Sequence, residues 1–235
     1  MRVNAVVVAA GEGARMGGEV RKPFLILAGS PLILHTLARF AESRTVRRAI
    51  LVAAENDLAE CQELVRSAPQ LHGLECIFQS GGPRRQDSVG RGLARLDADC
   101  QVVVIHDGAR PLVSSGLIDR CAAAAFAEGA VVAGVPARNT IKIVPADRHV
   151  RATLDRETLW EIQTPQAFRV EVVLEAHRRA VDEGAEATDD AALVERLGKP
   201  VTVLEGERTN IKITFPEDLL FAEALLRRNS AQGRC

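Results

Sequence analysis

Residues 4–23, NAVVVAAGEGARMGGEVRKP, run from a short apolar segment into a glycine-rich turn and end on cations. The segment is strand-sized and apolar on both faces, as in a strand buried inside a parallel sheet. The turn is suited to phosphate. Gly11 and Gly13 let the backbone approach an anion closely and present its N–H groups, while Arg15, Arg21 and Lys22 supply charge to neutralise a triphosphate.

Outward from this stretch, short apolar runs alternate with amphipathic ones. Residues 49–54, 74–78, 101–106, 130–135 and 201–204 read as further strands, mostly apolar on both faces. Between them lie helical stripes: Leu32, Leu34, Leu37, Ala38 and Phe40 after Pro31; Leu58, Cys61, Leu64 and Val65; and Leu117, Ile118, Cys121 and Ala125, with Ser114 or Ser115 as N-cap. This alternation predicts an α/β fold with a Rossmann-like, doubly wound, mostly parallel sheet covered on both sides. No repeat or Pro/Ser-rich linker divides the chain, so residues 1–235 are expected to form a single domain. Residues 137–165 break the rhythm. Polar β-like runs at 140–144 and 149–154 flank Pro145-Ala146-Asp147, and an excursion of this kind reads as a protruding β-arm. Residues 229–235 read as a frayed tail.

Charge and cysteine usage narrow the function classes. Thirty Lys and Arg face 31 Asp and Glu for a net charge of -1, so no global field favours nucleic acid or an anionic membrane. Any cationic site is local. The opening apolar run is too short for a secretory signal and no segment approaches 18 uninterrupted apolar positions, which points to a cytoplasmic protein. The five cysteines, at 61, 76, 100, 121 and 235, are scattered without a C-x-x-C pair, so neither zinc nor a disulfide framework is expected, and the internal four read as small buried residues.

In open parallel sheets ligands bind beyond the carboxyl ends of the strands, and the unusual residues of this chain fall there. The first strand leads into the glycine and cation loop, and the later ones into Gly81-Gly82-Pro83-Arg84-Arg85, His106-Asp107-Gly108-Ala109-Arg110, Arg138-Asn139-Thr140 and Glu205 to Lys212. Asp107, a carboxylate just past an apolar strand and beside a phosphate loop, is placed to hold Mg²⁺, which takes one or two carboxylates and completes its shell with phosphate oxygens and water. His106 reads as a hydrogen-bonded structural histidine, Asp189-Asp190 as a helix cap, Trp160 as an anchor for the arm, and Arg84 and Arg208 as surface charges.

Elimination narrows the reaction. The chain lacks G-x-x-x-x-G-K-[ST], which argues against γ-phosphoryl transfer by a P-loop enzyme. Gly11, Gly13 and Gly17 superficially suggest the dinucleotide fingerprint of short-chain dehydrogenases, but those enzymes use a tyrosine–lysine pair and this chain has no Tyr. Cations clustered on a phosphate loop favour reaction at the phosphates. Attack at an α-phosphate with loss of pyrophosphate builds negative charge that fixed Arg and Lys donors offset.

The motifs together resemble those of the 2-C-methyl-D-erythritol 4-phosphate cytidylyltransferases nearly end to end. The family's A-A-G-x-G-x-R-M followed by a lysine and x-[FY]-L stands here as Ala9 to Met16 with Lys22-Pro23-Phe24-Leu25; G-G-x-x-R-x-x-S-V as Gly81 to Val89; and H-D-A-A-R-P as His106 to Pro111. Asn139-Thr140-Ile141-Lys142 resembles D-T-[IM]-K. Asp155-Arg156, Leu159-Trp160 and Thr164-Pro165-Gln166 match D-R-x-x-L-W-x-x-x-T-P-Q; Thr188-Asp189-Asp190 matches T-D-[DE]; and Asn210 to Thr214 with Pro216-Glu217-Asp218 matches N-I-K-[IV]-T-x-P-E-D-L.

The resemblance implies a nucleotide-diphospho-sugar transferase type of fold and transfer of CMP from CTP to methylerythritol phosphate. It implies that Arg15 and Lys22 stabilise the transition state at the α-phosphate and that Arg156 and Lys212 position the acceptor. Asp107 would meet Mg²⁺, or another divalent cation, and the acceptor hydroxyls, and Arg110 and Thr140 would complete the acceptor site. Ala9, Ala10, Gly11, Gly13, Gly82, Arg85 and Ser88 would cradle the nucleotide. The arm would make a homodimer and carry Thr140 and Arg156 to the partner's site. Arg21 is left a bystander. The chain departs from the pattern at Pro83, which has no N–H to offer, and at Pro23, Gly108 and Asn139, none of them a charge-bearing position. Two alternatives stay open: another pentitol phosphate such as ribitol 5-phosphate as acceptor, and a catalytically silent nucleotide-binding protein. The latter would be expected to have lost Lys22, Lys212 or Asp107, and all three are present.

Overall fold

The structure is a computed structural model and describes residues 1–11 and 20–231. Gly13 and Arg15 lie outside the described residues. Strand β1 (Val3–Val8) opens the chain, and a small hairpin of β2 (Ile26–Leu27) and β3 (Ser30–Pro31) precedes α1 (Leu32–Ala41). Then come β4 (Val46–Ala53), α2 (Leu58–Arg66), β5 (Glu75–Ser80), α3 (Arg85–Leu93), β6 (Val102–Asp107), α4 (Ser115–Glu128) and β7 (Ala130–Pro136). An exposed arm carries β8 (Lys142–Ile143) paired antiparallel with β9 (Ala152–Thr153). The chain closes with β10 (Trp160–Arg169), α5 (Val170–Glu183), α6 (Asp190–Arg196), β11 (Thr202–Glu205) and α7 (Pro216–Ala231).

Among the described residues seven strands form one sheet in the order β11-β7-β10-β6-β1-β4-β5. All neighbours pair parallel except β10, which runs antiparallel between β6 and β7. The expected doubly wound, mostly parallel sheet is therefore present. Its alternation explains why the strands read as apolar throughout. Ala5 and Val7 of β1 face a core shared with Leu37 and Phe40 of α1 and Leu117 and Cys121 of α4, while Val6 faces Val89 of α3 and Val173 of α5. Both faces are covered, so neither can be polar. Full burial of each Val, Leu or Phe side chain among these contributes about 1.5–3 kcal/mol.

Local signals set the helix ends. Ser114 caps α4, its hydroxyl accepting from the Leu117 N–H, and the helix stops at Gly129, whose φ of 97° suits glycine. Cys61, Cys100 and Cys121 are buried free thiols and Cys76 is half-buried. Burial pushes the thiols of Cys61 and Cys121 up to about 12, so they are packing residues and not nucleophiles.

Two sequence expectations change. Residues 160–165 belong not to the arm but to β10, which crosses the middle of the sheet. The run after β5 becomes α3 from Arg85 onward, with Asp87 accepting from the Arg84 N–H at its start. Phe168 of β10 is fully buried against α5 and α6. Phe168→Ala should lower the unfolding free energy by about 3–5 kcal/mol in urea denaturation; a loss below about 1 kcal/mol would contradict a central, packed β10.

Candidate active site

The carboxyl ends of β1, β5 and β6 open on one cavity of about 680 Å³, large enough for a nucleotide-sized ligand. Ala9, Ala10 and Gly11 form one wall, Gly82, Arg85 and Ser88 a second, and Lys22, Asp107 and Lys212 complete it. The loops are pinned to the sheet rim. Ala9 N–H donates to Val52 O (2.7 Å), Gly81 N–H to Ala53 O (2.8 Å) and Gly108 N–H to Val8 O (2.8 Å). Glycine is required where these loops touch. A Cβ on Gly81 would lie 2.3 Å from the Ala10 Cβ, and one on Gly82 2.4 Å from the Asp87 Cβ. Ser88, at the second wall, is buried. Its hydroxyl accepts from the Gly82 N–H (3.0 Å) and donates to Arg84 O (3.1 Å), fixing the shape of that loop.

Asp107 closes the floor and is almost wholly buried. Lys212 Nζ lies 2.8 Å from Oδ2, Arg85 Nε 3.4 Å from Oδ1 and Arg110 Nε 3.9 Å from Oδ2. Burial would push the carboxyl up; the charges of Lys212, Arg85 and Arg110 outweigh it and hold Asp107 well below the usual carboxylate range. The carboxylate is thus a permanent anion at neutral pH. Lys22 Nζ donates to Ile213 O (2.9 Å), which brings its ammonium to the strand of loop carrying Lys212.

That loop is itself held by Arg110, expected in the acceptor site, and by residues to which the motif reading gave no role. Ile213 N–H donates to Ala109 O (2.8 Å) and Arg110 Nη1 to Asn210 O (2.8 Å). Buried Asn210 donates from Nδ2 to Thr164 O (2.8 Å) and Gln163 Oε1 (3.1 Å). His106 is structural, as expected. The Asp107 N–H donates to Thr164 Oγ1 (3.0 Å), whose hydroxyl lies 3.1 Å from His106 Nδ1, and His106 Nε2 lies 3.1 Å from Arg110 O. A carbonyl only accepts, so Nε2 carries the proton and Nδ1 accepts from Thr164. This tautomer is neutral.

Not every expected site residue reaches the cavity. Thr140 and Arg156 are exposed on the arm, where Arg156 Nη1 donates to Arg138 O (3.2 Å). Arg21, expected to be a bystander, pairs with Asp57 (3.0 Å) and is not among the residues lining the cavity. Arg84 is exposed, as expected of a surface charge, and pairs with Asp87 and Glu186. Of the two aspartates read as a cap, Asp189 accepts from the Ala192 N–H at the start of α6, whereas Asp190 turns to Arg85 and His177. Among the described residues no three His, Cys, Asp or Glu side chains form a ready metal cluster.

Residues 3–228 match the family described as 2-C-methyl-D-erythritol 4-phosphate cytidylyltransferase. A protein so named from Pelotomaculum thermopropionicum is 46% identical over 99% of this chain and 97% of its own length. Another from Caldanaerobacter subterraneus subsp. tengcongensis is 42% identical over 97% and 100%. Among solved structures, 4-diphosphocytidyl-2C-methyl-D-erythritol synthase from Anaerococcus prevotii superposes with a TM-score of 0.86 at 29% identity over 96% of each chain. The 2-C-methyl-D-erythritol 4-phosphate cytidylyltransferase of Thermus thermophilus gives 0.78 at 37% identity, covering 97% of this chain and all of that one.

Burial pushes the His106 imidazole down to about 4. Between that value and the ordinary 6.5 or so the unfolded chain binds a proton that the folded chain refuses, so stability should fall as the pH drops through this window. In an NMR titration assigned with a His106→Gln variant, the ring should stay neutral down to about pH 5; a midpoint near the ordinary value would contradict the hydrogen-bond chain.

Proposed function

The chain belongs to the 2-C-methyl-D-erythritol 4-phosphate cytidylyltransferases, which transfer CMP from CTP to 2-C-methyl-D-erythritol 4-phosphate with release of pyrophosphate in isoprenoid biosynthesis, and we propose how its residues divide that reaction. Ala9, Ala10, Gly11, Gly13, Gly82, Arg85 and Ser88 hold the nucleotide. Arg15 and Lys22 act at the α-phosphorus, offsetting the charge that develops on the reacting phosphate and on departing pyrophosphate. Lys212 and Asp107 place the acceptor, with Arg110 supporting them. The observation that carries this division is that Gly11, Lys22, Gly82, Asp107 and Lys212, from five separate stretches of chain, line one cavity.

The acceptor phosphate is already ionised at neutral pH, so no general base is required and catalysis is mainly positioning and electrostatics. The donor set at the cavity floor suits Mg²⁺: one hard, ionised carboxylate, Asp107, with room beside it for triphosphate oxygens. Bound there, the cation would neutralise triphosphate charge and orient the phosphate chain. Lys212, sharing Asp107 at 2.8 Å, is kept at the same point of the floor.

We further propose a homodimer acting in the cytoplasm, built through the arm. From Arg138 to Leu159 nearly every residue is exposed; Ile141, Ile143, Val144 and Val150 on the arm, with Trp160 and Ile162 at the start of β10 where the arm rejoins the sheet, are among the exposed large apolar side chains. An apolar strip on an extended arm is a surface that a partner covers. Thr140 and Arg156, set on this arm away from their own chain's cavity, would then serve the partner's acceptor site. Among the described residues no helix is long and apolar enough to cross a membrane.

With CTP, methylerythritol phosphate and Mg²⁺ the chain should release pyrophosphate, and chelation of the metal should stop it; release with ribitol 5-phosphate alone would overturn the acceptor assignment. Lys22→Ala should lower kcat by about 10²–10³ without changing the thermal midpoint. Near-normal turnover would refute its role. Mixing Lys22→Ala with Arg156→Ala subunits should restore activity, because one site of the heterodimer then has both residues intact. No recovery after proven subunit exchange would exclude an arm acting in trans.

A further inference from the structure

Behind the cavity floor, helices α3, α5 and α6 converge on a buried pair, Asp190 and His177, for which the division of labour above has no use. Asp190, the first residue of α6, is 1% exposed. Its Oδ2 accepts from Arg85 Nη1 at 2.8 Å and its Oδ1 lies 3.0 Å from Nε2 of His177, itself buried on α5. Arg85 Nε in turn lies 3.4 Å from Asp107 Oδ1. A continuous polar path therefore runs His177, Asp190, Arg85, Asp107, Lys212.

Asp190 is not there to cap its helix, since Asp189 does that. The start of α6 is also clamped from the sheet: Gln166 of β10 donates to Asp189 (2.8 Å) and accepts from the Ala191 N–H (3.2 Å). A buried carboxylate costs several kcal/mol in lost hydration unless it is paired and hydrogen-bonded. Burial would push the Asp190 carboxyl up, and the His177 hydrogen bond with the charge of Arg85 more than reverses this. An ionised carboxylate only accepts, so His177 donates from Nε2.

The distances indicate what the group does. A guanidinium facing a lone carboxylate tends to close on it through two parallel hydrogen bonds. Arg85 does not. Its short contact is to Asp190 and its contact to Asp107 is long, so the arginine is held back from the carboxylate that also faces Lys212. We propose that Asp190 and His177 are positioning residues: they anchor the Arg85 guanidinium so that it borders the nucleotide cavity without capturing Asp107, leaving that carboxylate available to Lys212, the acceptor and the metal. The proposal rests on the roles given to Asp107 and Arg85 under Proposed function. His177 acts only through Asp190, and Asp190 only through Arg85.

Steady-state kinetics of the full chain with CTP, methylerythritol phosphate and Mg²⁺ test the order of this relay. Asp190→Asn keeps the shape but removes the charge, and should lower kcat/KM for the acceptor about tenfold or more. His177→Leu removes the donor and should cost about three- to tenfold, while His177→Gln, whose amide nitrogen can reach the Nε2 position, should recover activity to within about twofold. In an Arg85→Ala background His177→Leu should have no further effect, because the group it positions is gone. The proposal is overturned if His177→Leu and His177→Gln are equivalent, if the His177 and Arg85 effects multiply independently, or if only the thermal midpoint moves. Should Asp190→Asn fail to fold, the three His177 and Arg85 comparisons still decide. A wild-type chain that releases no pyrophosphate overturns the site reading and this proposal together; an active wild type with multiplicative effects overturns this proposal alone.

Discussion

A single buried carboxylate, Asp107 at the end of a central strand, governs the arrangement of everything around it. Taking such a group out of water costs several kcal/mol, and it is tolerated only with well-placed opposite charge. Three cations supply that charge, each from a different part of the chain: Arg85 from α3, Arg110 three residues on, and Lys212 from the loop after β11. Their distances from the carboxylate rise from 2.8 Å to 3.9 Å, so Lys212 dominates the pairing. Even with Asp190 paired to Arg85, the three cations outnumber the two carboxylates, and the surplus positive charge is what a site for two phosphate-bearing substrates needs.

The fold makes this meeting possible. Strands β1 and β6 lie side by side in the middle of the sheet, and their carboxyl ends bring the glycine loop and Asp107 together where the strand order reverses. The antiparallel β10 adds the second half of the frame. Gln163 and Thr164 on that strand hold Asn210, and through it the Lys212 loop, while Gln166 holds the start of α6. The core explains stability; these buried polar contacts explain where the cations stand.

Much of this was legible in the sequence because burial on both faces leaves strands uniformly apolar and because phosphate chemistry needs glycine and fixed cations. Residues 130–135 fall on β7 nearly end to end, and 49–54 cover the second half of β4 and one residue beyond it. Asp107, Lys22, Lys212, Gly82, Arg85 and Ser88 stand in motifs at the strand ends, and all line the cavity. What leaves no local pattern in the sequence is polar and buried. Trp160–Arg169 hides as a strand because Gln163, Thr164 and Gln166 interrupt its apolar pattern and Pro165 breaks its register with β7; each of those polar side chains is satisfied by a partner far along the chain. Asp190 was hidden for a related reason: next to a residue that caps a helix, its pairing with Arg85, 105 positions away, leaves no local trace.

If Asp107 is the anion on which the site is built, its carboxyl must stay ionised far into the acid range. The direct measurement is the ¹³C shift of the side-chain carboxyl in aspartate-labelled protein, assigned by difference with Asp107→Asn and followed from pH 7 to about 3.5, below the ordinary aspartate pKa. The Asp107 resonance should show no protonation over that range while exposed aspartates titrate. A midpoint near 4 would mean that Lys212, Arg85 and Arg110 do not hold this charge, and would remove the foundation on which the cavity and its chemistry are explained.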